Sequence, residues 1–322
     1  MRIGVPKEGH RGERRVALVP ESCRKLLQAG YEISFESGCG AAAGFTDAVY
    51  REVGAAPESN PQVLLDSVDL VLKVMPPLEA HASRNEISWM RPGAIYLGSL
   101  MPLRNLEAVR ALADRKVTAF STDAIPRTTR AQPMDTLSSM ANISGYKGAL
   151  LAAVALNRYF PMLMTAAGMV SPAKVFVIGA GVAGLQAIAT ARRLGANVVA
   201  TDVRPEVREQ IESVGAKYVG IELEDSAAAG GYAKALSPTD RQRQSQLLAE
   251  ECIRSDVVIT TALIGGVFAP RLIDASTVNR IWRDRVHWGT PTTSMPSRSE
   301  RECPTPVCAG AGRSRRAGTT WR

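Results

Sequence analysis

Short apolar runs separated by stretches of helical periodicity recur along the chain, and they set its architecture before any single residue is considered. Up to about residue 130, β-rich runs at Arg2–Val5, Glu32–Glu36, Asp69–Val74, Ala94–Leu97 and Val117–Ser121 alternate with helical patterns at Pro20–Ala29 and Leu106–Asp114. Proline opens the first helix and Gly30 stops it, as the two ends of a helix prefer. Leu137 to about Tyr159 then reads as one long helix, rich in Ala, Leu and Met, with Gly145 and Gly148 as its only breakers. About 20 helical residues reach some 30 Å, enough to run from one domain into another. Residues 166–173 read as a turn. A second alternating unit follows, with strands at Val175–Ile178, Val198–Thr201 and Asp256–Thr261. Its helices fall at Val182–Leu194, Pro205–Val214 and about Asp240–Arg254, with a Gly/Ala loop at Ala227–Gly231. Strands alternating with helices predict βαβ units and mostly parallel sheets.

The pattern stops near Val278. A doubly wound sheet needs further strands here, yet residues 279–322 show neither strand nor helix periodicity. This stretch cannot bury enough apolar surface to offset ordering, so a low-order basic tail is predicted. The division is therefore 1–136, an α/β domain; 137–165, a connecting helix; 166–278, an incomplete second α/β domain; and 279–322, the tail.

The tail also explains the net charge of +8, which otherwise hints at nucleic acid. Nine of the arginines lie from residue 280 onward against Asp284, Glu300 and Glu302, which accounts for six of those eight charges. No basic face remains on the body to release counterions from phosphates, so no nucleic-acid partner is expected. No apolar run approaches the roughly 20 residues of a membrane span, and the charged start gives no secretory signal. The expectation is a cytoplasmic chain without direct membrane insertion. Scattered cysteines, and three histidines that are expected to be solvated, offer no metal-ligand spacing, and no metal is expected.

One motif carries chemistry. Gly179-Ala180-Gly181-Val182-Ala183-Gly184 is a GxGxxG with an apolar strand before it, a helix after it, and Asp202 at the end of the next strand. That context makes it a dinucleotide-binding turn of the Rossmann type. Gly179 permits the turn, Gly181 admits the pyrophosphate, and Gly184 lets the helix lie close to the strand. The amides and dipole at the helix start favour phosphate. Asp202 suits the two ribose hydroxyls and repels a 2′-phosphate, which argues for NAD(H), although Arg204 nearby could pair with that phosphate. Arg127, Arg130, Gln132 and Asp135 form a polar cluster after a strand end, in which Gln132 and Arg127 suit the nicotinamide carboxamide.

The opening RIGVPKE…ERRVALVPE, with GFTDAVY later, resembles the amino-terminal domain shared by alanine dehydrogenase and proton-translocating NAD(P) transhydrogenase. RAQPMDTLSSMANISGYKGALLAA, the glycine turn through DVRPEVREQ, and TTALIGG resemble the transhydrogenase branch. The resemblance implies two Rossmann-like doubly wound domains joined by a long helix, with NAD(H) in the cleft between them. It places Arg127, Gln132, Asp135 and Ser138 at the nicotinamide end as the hydride-transfer site, with no acid–base catalysis expected of them. Gly179, Ala180, Gly181, Val182 and Gly184 fall at the pyrophosphate. Asp202, Val203 and Arg204 fall at the adenosine ribose, and Gly231, Gln244 and Leu263 along the adenine and the channel. It further implies a homodimer, membrane-spanning and NADP(H)-binding partner subunits, a place at the inner face of the cell membrane through them, and direct hydride transfer between NADH and NADP+ held on a partner subunit, coupled to proton movement. Two alternatives stand beside it. An alanine-dehydrogenase-like oxidoreductase would use Arg15 and Lys73 on its substrate, but the histidine that should follow the AIYL strand is replaced by Gly98-Ser99-Leu100, and glycine cannot transfer a proton. The other is a non-catalytic product lacking the end of its fold, since the tail has the composition that a shifted reading frame of a GC-rich gene gives.

Overall fold

The computed structural model describes residues 1–78, 84–126, 128–220, 238–262, 271–281 and 286–289. The chain divides into two units, Met1–Leu137 and Ser138–Arg322. In the first, β1 (Arg2–Val5), β2 (Glu32–Glu36), β3 (Ala56–Glu58), β4 (Leu70–Leu72), β5 (Ile95–Gly98) and β6 (Thr118–Ser121) form one sheet in the order β3-β2-β1-β4-β5-β6. Every pairing in it is parallel. Helices α1 (Pro20–Gln28), α2 (Asp47–Glu52), α3 (Pro61–Ser67), α4 (Glu86–Trp89) and α5 (Leu106–Asp114) connect the strands. Both sheet faces are covered. Leu70 and Leu72 of β4 pack with Ile3, Val5, Phe35 and Tyr50, while Val71 between them joins Leu64, Leu65, Tyr96 and Leu112. Two buried faces explain why the central strand β4 reads as a continuous apolar run instead of an alternating one.

The second unit holds α6 (Thr136–Ala155, beginning two residues before the division), β7 (Leu163–Thr165), β8 (Gly168–Val170), β9 (Lys174–Ile178) and α7 (Val182–Arg193). It continues with β10 (Asn197–Thr201), α8 (Arg208–Ser213), β11 (Lys217–Tyr218), α9 (Pro238–Arg254), β12 (Val257–Thr260), α10 (Ala275–Arg280) and β13 (Val286–Gly289). Its parallel sheet runs β11-β10-β9-β12-β13. Val175, Val177, Val198, Ala200, Val257 and Ile259 fill one face, and Phe176, Ile178, Val199 and Val258 the other. Strand order reverses on either side of β9, so the carboxyl ends of β9 and β12 frame the crevice where open parallel sheets take ligands.

The structure corrects three expectations. The long helix stops at Ala155, short of Tyr159; Pro161 disfavours helical backbone at Phe160, which sets an outer limit and leaves the earlier stop without a local signal in the sequence. Residues 163–170, expected in part as helix and in part as turn, form an antiparallel hairpin around Ala166–Ala167; those alanines give none of the Asn-Gly signal such loops normally carry. A strand does follow Val278: β13 pairs in parallel with β12, Val257 opposite Val286. Four residues without flanking periodicity are too short a signal. Residues 290–322 lie outside the described residues.

Candidate functional site

The glycine turn sits between β9 and α7. Gly179 has φ +92°, a left-handed conformation that favours glycine, and a Cβ there would come within 2.9 Å of the Ala262 backbone nitrogen. A Cβ on Gly184 would overlap the Gly179 carbonyl. These two glycines answer to the fold. Gly181 does not: it caps α7 at φ −73°, and a Cβ added to it meets nothing within 4 Å. Neither a left-handed backbone nor packing asks for glycine at 181; beyond a modest preference for glycine over alanine at a helix cap, its open side leaves room for a group approaching the turn from outside. That is the fit test for a dinucleotide, and the residues pass it: amides at the start of a 12-residue helix, an open side where a side chain would stand, and a carboxylate, that of Asp202, in contact with the turn itself.

Asp202 directly follows β10, its side chain 7% exposed. Its Oδ2 accepts the Ala180 N–H at 2.7 Å, and its Oδ1 accepts the Arg204 N–H at 3.0 Å. The Arg204 guanidinium adds Nε to Oδ1 at 3.0 Å and Nη2 to Oδ2 at 3.1 Å. Hydrogen bonding to Asp202 raises the Arg204 pKa, so this cation is permanent. From the other strand, the Thr261 hydroxyl donates to the Gly179 carbonyl at 2.7 Å and the Thr261 N–H to Ile178 O at 2.8 Å. Thr261 thus ties β12 to the turn. Sequence reading does not single it out, although it marks the TTALIGG run that contains it.

The other expected residues divide. Ala180 is buried and Val182 is 43% exposed at the mouth of the turn. Gln132 is exposed on a 3₁₀ turn, Thr129–Met134, whose carbonyl at 132 accepts the Asp135 N–H at 3.2 Å. Ser138, like Asp135, is half-buried, in the first turn of α6. Gln244 is half-buried on α9. Arg127, Gly231 and Leu263 lie outside the described residues. Gly145 of α6 carries a contact that sequence reading misses: a Cβ there would overlap the Ala183 carbonyl in the first turn of α7.

In the first unit, Lys73 and Arg15 are both engaged. The Lys73 side chain is fully buried, its ammonium 3.2 Å from Glu8 and 3.1 Å from Glu86. Arg15 pairs with Glu13 and reaches the Met75 sulfur at 3.6 Å. The Tyr96 hydroxyl donates to Met75 O at 3.1 Å or Ser99 O at 2.9 Å. Burial, reinforced by Glu8, pushes its pKa far up, so it is no base. A side chain at Gly98 would come within 2.5 Å of the Lys73 carbonyl and 2.7 Å of the Tyr96 oxygen. There is no room for a larger residue at 98. His10, expected to be solvated, is half-buried, with Nε2 2.9 Å from Pro76 O. Its neighbouring carbonyl gives the ring a structural partner. Burial pushes the thiol of Cys23 up to about 11 and those of Cys39 and Cys252 up to about 12, so none of the three is a ready nucleophile.

The N-terminal domain family of alanine dehydrogenase/PNT matches residues 4–144, and the matching C-terminal domain family covers residues 148–286. The chain belongs to this family. An NAD(P) transhydrogenase subunit alpha chain of Rhodospirillum rubrum is 43% identical over 284 residues, covering 87% of this chain and 74% of that protein. Alanine dehydrogenase 2 of Staphylococcus aureus is 28% identical, over 87% of this chain and 69% of its own length. The crystal structure of transhydrogenase from Sinorhizobium meliloti superposes with a TM-score of 0.79 at 41% identity, covering 89% of this chain and 77% of that one. Within the family the chain stands on the transhydrogenase side.

Proposed function

We propose that this chain is the NAD(H)-binding component of a proton-translocating transhydrogenase. Bound there, NADH gives a hydride from its dihydronicotinamide C4 to the C4 of NADP+ held by a partner subunit, leaving NAD+ and NADPH. Gly179, Ala180, Gly181, Val182 and Gly184 take the pyrophosphate. Asp202, Val203 and Arg204 meet the adenosine ribose. Gly231, Gln244 and Leu263 line the adenine end, and Arg127, Gln132, Asp135 and Ser138 hold the nicotinamide end. Such a transfer needs two rings oriented face to face and no acid or base from this chain. The observation that carries the reading is Gly181, a glycine that neither φ nor packing requires and whose side of the turn stands open.

The partners include a membrane-spanning subunit, which brings this chain to the inner face of the membrane, with proton movement coupled there. No helix among the described residues is long and apolar enough to cross a membrane. A second copy of the chain completes the assembly. The hairpin of β7 and β8 is exposed along its whole length, with Met164 at 71% and Met169 at 61%, and α6 presents Val154 at 86% exposure. A lone two-stranded hairpin is marginal in water, and this apolar surface supports burial against a copy of itself. The alanine-dehydrogenase reading is disfavoured by the Lys73 ion pairs and by the crowding at Gly98.

The test uses NADH deuterated at C4, the purified chain, membranes carrying the partner subunits, and NADP+. Deuterium recovered in NADPH, with none in water, supports direct transfer. Label in water, or no NADPH beyond that made by membranes alone, overturns it.

A further inference from the structure

We propose that the Arg204 guanidinium is an internal occupant of the ribose site, one that a ribose diol must displace. The inference rests on the reading of Asp202 as the ribose acceptor, and deepens it. A carboxylate has about four lone-pair sites. On Asp202 all four are filled: two by the backbone N–H groups of Ala180 and Arg204, and two by Arg204 Nε and Nη2. The backbone donors are fixed by the turn and by the chain itself. The guanidinium donors are placed one on each oxygen, the arrangement that a cis-diol presents with its two hydroxyls. Guanidinium and diol therefore compete for the same two acceptor positions. The Arg204 side chain is 28% exposed against 7% for Asp202, so the arginine has a path to solvent and the aspartate does not.

The arrangement does three things. It keeps a nearly buried carboxylate paired when no nucleotide is bound, avoiding the cost of an uncompensated charge. It lowers affinity for every ligand that uses the diol, because the pair must be broken first. It leaves unchanged the affinity for a nucleotide that lacks the diol and does not reach Asp202. A merely positioning arginine, holding the aspartate in its rotamer, does the reverse: its loss weakens recognition of the diol.

The experiment measures Kd for ADP and for 2′,3′-dideoxy-ADP on the purified full chain, unchanged and as Arg204→Gln and Arg204→Met. The ratio of dideoxy-ADP Kd to ADP Kd cancels the general loss of a positive charge near the diphosphate. Displacement of a partly exposed pair predicts that this ratio rises about two- to five-fold in both variants. A ratio that stays put or falls overturns the proposal, and a fall assigns Arg204 the positioning role. If ADP fails to bind the unchanged chain, the dinucleotide reading itself is lost and this one with it. If neither variant melts cooperatively, crystal structures of the unchanged protein with and without NADH decide. The guanidinium on Asp202 without NADH and off it with NADH supports displacement; the guanidinium on both oxygens beside a bound ribose refutes it.

Discussion

Two glycines three residues apart should respond in opposite ways to a single methyl group. In Gly184→Ala the new Cβ overlaps the Gly179 carbonyl and stands 2.9 Å from the Thr261 hydroxyl. The clash is with backbone at the junction of β9 and α7, so neither atom can yield without moving the turn. Overpacking of this kind costs typically 1–3 kcal/mol, and a backbone clash belongs at the upper end, about 3 kcal/mol. For a unit of this size that is a fall in Tm of about 6–12 °C. In Gly181→Ala the Cβ enters open space at an ordinary φ. The penalty is limited to the poorer helix cap, about 1 kcal/mol at most. Its effect on ligand is large instead, because the methyl stands where the pyrophosphate must approach the amides. Thermal melts of both variants, with and without saturating NADH, separate the two roles. Gly181→Ala should melt within about 4 °C of the unchanged protein without ligand and lose most of the rise that NADH gives, while Gly184→Ala should melt low under both conditions. Equal losses of ligand-free Tm in the two variants would refute the division between a fold glycine and a ligand glycine.

Lys73→Met leaves the Glu8 and Glu86 carboxylates buried with one partner fewer; urea unfolding should show a loss of about 3–5 kcal/mol, and a loss under about 1 kcal/mol would mean the pairs are solvated. The same buried lysine predicts that alanine plus NAD+ yields no NADH at any protein concentration; the near-ultraviolet absorbance of the reduced nicotinamide is the check. Burial works to raise the Asp123 carboxyl, but the hydrogen bonds from the Ser121 hydroxyl and the Leu100 N–H outweigh it and hold it below the ordinary aspartate range. That stabilisation is present above the unfolded value, about 4, and drains away as pH falls through the depressed folded one; Asp123→Asn should flatten the acid side of a stability-against-pH curve. Met164→Asp with Met169→Asp should abolish the proposed pairing of two copies, so that the variant sediments as a monomer where the unchanged chain sediments as a dimer, with unchanged far-ultraviolet circular dichroism.

Much of this is legible in the chain itself. Strands buried on both faces, such as β9 and β12, announce themselves as unbroken apolar runs, and the glycine turn is legible from its spacing together with the strand before it, the helix after it and Asp202 at the next strand end. What escapes has a common cause. The elements β3, α2, α3 and α4 are three to seven residues long, too short for a period to show. The hairpin at 163–170 exposes its apolar residues, so its pattern answers to something other than this unit's core. Around the site, spacing identifies Asp202 but not the saturation of its acceptors, which depends on where one arginine's rotamer falls. Gly145 reads as a weak point of a helix when its role is close approach to Ala183; one-dimensional periodicity does not distinguish the two. The glycine at 98 in place of a histidine already argues against amino-acid oxidation, yet the Lys73 ion pairs and the crowding that close that site come from residues distant in sequence.

The central claim is that the turn after β9 binds a dinucleotide whose adenosine ribose carries no phosphate. Titration of the purified chain with NADH and, separately, NADPH, followed by the nicotinamide fluorescence, tests it most directly. Saturable binding of NADH with NADPH at least tenfold weaker is the predicted result; a tenfold ratio corresponds to about 1.4 kcal/mol of discrimination by the Asp202 carboxylate. Equal affinities, or no saturation by NADH, would contradict it.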